Sequence, residues 1–335
     1  MLSANISRPL AALFVLTAAT ACGGRTDLSS SSAYTPLIID ELATVSSLIT
    51  EGERIYYVVH EGRIMAADAV TGATTLLAEI PAQSLNSPIT LALDADWLYM
   101  TIDGDDVGTT GLFRISKTGG APEKIASGQV PSGQIDDVFI DATGLYWTNR
   151  FPQESRHEVF RRRPDGTTLF LGMLDDTYNP LRGIFRGTAG LLVPWETALV
   201  AFDIEGAGAT TISDFWHISF PFERDGALFY NVDHEMPRGL YRASPDGTMA
   251  QNLYEGLVQR VITDGDRWVF TVPTDLESDI FAASYPDGER SLVYHSPLYT
   301  SPRAVSLTPT RLVLGAAWWE LKTGIQSLRR DAVGL

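Results

Sequence analysis

Three of the five histidines in the chain are followed directly by glutamate: His60-Glu61, His157-Glu158 and His234-Glu235. Imidazole and carboxylate are ligands for zinc and other divalent metals, and a histidine beside a carboxylate can also move protons. A second group is Asp136, Arg182, His217, Gln259 and Arg303. Two arginines can hold a carboxylate through paired N–H groups, so this set would suit a small anionic or polar ligand. The alternative is that Asp136 and the arginines satisfy one another, because charges taken out of water are normally paired. Whether either group forms a site depends on the elements that carry it.

Those elements are repeats. Aligned on one apolar-aromatic pattern, RIYYVV (54–59), WLYMTI (97–102), GLYWTN (144–149), GLLVPW (190–195), ALFYNV (227–232), RWVFTV (267–272) and RLVLGA (311–316) recur at intervals of 37 to 47 residues. That period suits four short strands with their turns. Each copy has an apolar run before it, such as ITLALD (89–94). A third strand follows, then a Gly-containing turn such as Asp165-Gly166 or Asp246-Gly247, then a fourth strand. Seven four-stranded units predict an all-β fold, a seven-bladed β-propeller. The seventh unit has three strands, and AYTPLIIDE (33–41) is a strand without a unit. The N-terminal strand is therefore expected to complete blade seven and close the ring, which otherwise ends in an exposed edge.

In this arrangement the His-Glu pairs fall in loops between second and third strands. The residue nine positions before the second residue of each aligned strand, which is Ser46, Ile89, Asp136, Arg182, Ser219, Gln259 or Arg303, falls at the mouth of the central channel, with Trp216 and His217 nearby. Both belong to the same face. Blades one, three and five are not neighbours, so solvated loop residues are the default for the His-Glu pairs. Asp103, Asp105 and Asp106 resemble the start of a calcium loop but lack its closing glutamate. Trp318-Trp319 could contact a partner or pack between blades.

The repeats resemble those of bacterial YWTD-type propellers over nearly all of residues 33–335, most closely at Tyr146-Trp147-Thr148, where Asn149 replaces the motif's aspartate. Propellers of this kind bind proteins, peptides, sugars or ions, and some are enzymes. The resemblance implies a fold, not an activity.

The N-terminus carries an address. Arg8 precedes the apolar run LAALFVLTAATA (10–21), which is too short for a permanent span. Cys22, the only cysteine, follows Ala19-Thr20-Ala21. This resembles a bacterial lipoprotein signal, with Ala19 where such signals usually carry leucine; an ordinary secretory cleavage is the alternative. The expected organisation is a signal peptide (1–21), a tether from lipidated Cys22 (22–32) and one propeller domain (33–335), anchored at the outer membrane. With 25 Lys+Arg against 41 Asp+Glu, the net charge of −16 argues against nucleic acid and anionic lipid surfaces.

No phosphate loop or serine elbow occurs. The expected function is a monomeric binding or scaffolding module for an envelope protein, peptide or glycan, needing no cofactor. The alternative is an envelope lyase or hydrolase using the His-Glu loops with a divalent metal.

Overall fold

A computed structural model describes residues 37–40, 45–59, 62–80, 90–102, 110–127, 134–151, 153–175, 183–195, 198–215, 217–233, 237–258, 260–265, 267–273, 278–285, 290–296, 302–316, 324–333 and 335. They form seven separate four-stranded antiparallel sheets. No helix occurs among them, and hence none long and apolar enough to cross a membrane.

Six sheets are consecutive in sequence. Blade three, for example, runs Gln134–Asp141, Gly144–Phe151, Arg156–Arg162 and Thr168–Asp175. Blade seven takes its first three strands from Pro302–Leu307, Arg311–Ala316 and Ile325–Arg329 and its fourth from Leu37–Asp40. Leu37 pairs with Ser327 and Asp40 with Ile325, with a register shift between Ile38 and Asp40. The first strands of blades one and seven also touch, so the ring is closed.

The aligned signature is the second strand of each blade. It lies inside its sheet with a blade on either side, so both of its faces are apolar. Ile55, Tyr56, Tyr57, Val58 and Val59 are accordingly all buried. In GLYWTN, Tyr146 packs toward blade four and Trp147 toward blade two. Seven clusters of buried side chains each straddle one seam between neighbouring blades, and these clusters are the core. No disulfide is needed for such a ring, because apolar burial at every seam holds adjacent blades together.

Strands alternate in direction, so the disk has two unlike faces. First-to-second and third-to-fourth turns lie on one, the hairpin face. Second-to-third loops and blade-to-blade connections lie on the other, the loop face. On the hairpin face Gly247 has φ +80°, and a Cβ there would sit 1.7 Å from the Ile212 carbonyl oxygen of blade four. Only glycine fits that approach without displacing backbone.

Candidate functional site at the loop face

Near the loop face the innermost strands of several blades slip out of register. Register shifts fall between Val45 and Ser47 in blade one, Ile135 and Asp137 in blade three, and Pro302 and Ala304 in blade seven. The extra residues are Ser46, Asp136 and Arg303. A bulge leaves one residue outside the ladder and re-aims it. Three positions of the column read from sequence therefore share a backbone irregularity that the sequence does not announce.

Asp136 is the best-defined of them. Its Oδ2 lies 2.9 Å from His157 Nε2, and its Oδ1 lies 3.4 Å from Arg150 Nε. Arg150 also donates to the Gln134 side chain. The backbone carbonyl of Asp136 accepts from Thr90 Oγ1 of blade two at 3.2 Å. Among the described residues the aspartate is thus satisfied by an arginine and a histidine.

The placement of His157-Glu158 in a loop is corrected by the structure. Blade three has an eight-residue second strand and a third strand that begins at Arg156, so both residues are in the sheet. Alternation then turns them to opposite faces. His157 is fully buried against Asp136, whereas Glu158 stays partly accessible and pairs with Arg156 at 3.1 Å. A histidine held this way positions the bulge rather than meeting a ligand.

The neighbouring Asp137 was not singled out from sequence, and it is the more deeply placed carboxylate. Its Oδ2 accepts from the backbone N–H groups of Gly183 (2.6 Å) and Ile184 (2.9 Å) of blade four, and its Oδ1 from Val138 (2.8 Å). Burial pushes its pKa up to about 6, against the downward pull of those three N–H groups. Gly183, with φ +80°, lies so close to Phe220 of blade five that a Cβ would be 2.9 Å from the Phe220 Cα. The guanidinium of Arg260, in blade six, sits 4.6 Å above the Phe220 ring. Contacts thus run from blade three to blade six around the loop-face rim.

Blade five supplies a second polar seam. Asn231 donates to the carbonyl of Val258 and to Asp233, and Ser219 Oγ donates to Asp233 Oδ2 at 3.1 Å. His217 (φ +55°) and Phe220 (φ +50°) both occupy the left-handed region. For non-glycine residues that conformation is costly; Ser155 shares it at the loop face, and Asp225 and Met249 share it in hairpin-face turns. Buried Thr148 Oγ1, Asn149 Oδ1 and Thr271 Oγ1 near the same end have no protein partner among the described residues. Water bound between blades would satisfy them.

His60-Glu61, His234-Glu235, Arg182, Trp216, Gln259, Asp103, Asp105, Asp106, Trp318, Trp319 and the segment bearing Cys22 lie outside the described residues. Arg303 is placed by its backbone alone. Among the described residues no three His, Cys, Asp or Glu side chains are grouped to hold a metal.

The geometry defines a seven-bladed β-propeller with a polar rim at its loop face. No family profile matches the chain, and no curated protein matches it in sequence. Solved structures share the fold. YCF48 in complex with the D1 peptide is 8% identical, with a TM-score of 0.63 over 89% of this chain and 97% of that one. U3-55K is 10% identical, with a TM-score of 0.58 over 89% and 99%. The computationally designed protein Ika8 is 11% identical, with a TM-score of 0.54 over 87% and 97%. At such identities the likeness is one of fold alone.

Proposed function

We propose that this protein is a lipid-anchored propeller of the bacterial envelope that recognises a protein, peptide or glycan through its loop face. The observation that carries the reading is the asymmetry of the rim. Among the described residues, the register shifts between first and second strands, in blades one, three, five and seven, all fall at the loop-face end of a ring held by seven apolar seams, and none falls at the hairpin-face end. Rigid scaffolds that spend backbone regularity on one face use that face for binding. The buried pairing of His157 with Asp136 favours binding over acid–base chemistry at this blade. YCF48 was captured with a peptide, which illustrates that the fold can carry one.

The anchor rests on Cys22 and the apolar segment before it. Labelled palmitate should enter the full chain and be absent from Cys22→Ser, which should move from the membrane to the soluble fraction. Labelling that survives the substitution would remove Cys22 as the anchor. Crosslinking from Glu154, in the loop-face turn of blade three, tests the binding surface itself.

A further inference from the structure

A different site lies on the opposite face. Cross-strand pairing equates one position on the third strand of every blade: Ala67, Ile115, Arg162, Phe202, Ala243, Ala283 and Leu328. Six are apolar and pack into the seam with the preceding blade. The seventh is an arginine. Arg162 is half-buried, lines a cavity shared with Trp97, Tyr99 and Ile125 of blade two, and has no hydrogen-bond or ion-pair partner among the described residues.

The seam in front of Arg162 is also built differently. Between blades one and two, Lys117 Nζ seals the hairpin face by bonding Glu51 at 2.6 Å. Between blades three and four, Arg161 does so with Glu205 at 2.6 Å. Between blades two and three, the residues equivalent to Lys117 and Glu51 are Pro164 and Asp94, which cannot pair. A cavity of about 370 Å³ lies there, walled by Trp97, Tyr99, Ile125, Ile140 and Leu145, with Arg162 on its blade-three side.

The other two arginines of the cavity are paired. Arg114 stacks 4.2 Å over Trp97 and pairs with Glu123, and Arg163 pairs with Glu205. Asp94 accepts from the Asp96 and Trp97 N–H groups and from the Tyr99 hydroxyl. Asp141 accepts from Thr143 and Gly144. Asp96 remains exposed at the rim.

We infer that the cavity between blades two and three binds a carboxylate carried on an aromatic or apolar group, with Arg162 gripping the carboxylate and Trp97, Tyr99 and Leu145 enclosing the apolar part. A partly buried guanidinium gains from pairing with an anion, and its planar fork fits a carboxylate through two N–H groups. The site is independent of the loop-face reading, since it lies on the other side of the disk.

Titration calorimetry of the purified full chain with N-acetyl-L-phenylalanine and with its amide tests the site. The acid should bind at least about tenfold more tightly than the amide, which lacks the charge. Arg162→Ile, which installs the residue of blade two, should fold and lose about 10- to 100-fold in affinity for the acid; Arg162→Lys should retain part of it. A peptide ending in phenylalanine, with and without C-terminal amidation, tells a free acid from a chain terminus. Equal binding of acid and amide, unchanged affinity in Arg162→Ile, or no binding of the acid at about 10 mM would overturn the inference.

Discussion

Removal of residues 37–40 is expected to lower the melting temperature by about 10 °C or more and to drive association of the chain. The deletion strips one edge of Ile325–Arg329 of its ladder partner and empties the seat of Ile39 in the seam between blades seven and one. A buried isoleucine contributes about 2 kcal/mol, and each net backbone hydrogen bond about 1 kcal/mol. The combined loss is roughly 5 kcal/mol, which in a chain of this size corresponds to about 10 °C. The uncovered strand becomes a template for another chain, so sedimentation should show oligomers. A synthetic peptide of residues 33–41 should restore the monomer. A truncated chain that melts within about 1 °C of the parent and stays monomeric would show that the strand does not close the ring.

The second large effect belongs to Asp137. Replacement by Ala leaves three backbone N–H groups at the seam between blades three and four without an acceptor, and is expected to cost about 2–4 kcal/mol in chemical denaturation. Asp137→Asn isolates the ionisation. Burial raises the folded-state pKa from 3.8 to about 6, so the folded protein holds this proton more tightly than the unfolded chain does. The resulting stability is fully present below about pH 4 and disappears as pH rises through about 6, a difference of roughly 3 kcal/mol. The advantage of wild type over Asp137→Asn should therefore shrink by about that amount between pH 4 and pH 7, since the other carboxylates cancel in the comparison. An advantage that grows with pH would mean that the three N–H groups outweigh desolvation and hold the carboxyl below its ordinary range.

The repeat was legible because its cause is simple. A second strand enclosed by two blades must be apolar on both faces, and that pattern recurs at Tyr56, Tyr99, Tyr146 and their equivalents whatever the intervening loops do. The incomplete seventh unit and the spare strand at 33–41 likewise imposed closure. The site was less legible. The repeat pattern gives blade three a six-residue second strand and so places His157 in a loop, whereas the strand runs on to Phe151 and brings His157 into the sheet beside buried Val159. The bulges at Ser46, Asp136 and Arg303 have no residue-type signature, so they could not be read. Asp137 reaches backbone amides 46 and 47 residues away, and backbone partners leave no mark in a sequence. Arg162 is the opposite case. The arginine itself is plain in the sequence, but its place in a column with Ala67, Ile115 and Phe202 comes from the strand pairing.

The central claim is that the envelope partner is recognised at the loop face, and photocrosslinking in the native envelope tests it most directly. A photoreactive residue in place of Glu154, exposed in the loop-face turn of blade three, is compared with one in place of Met249, which is 85% exposed in a hairpin-face turn of blade five. The predicted result is a discrete adduct from position 154 and none from position 249. An adduct from position 249 with none from position 154 would contradict the account and move recognition to the hairpin face.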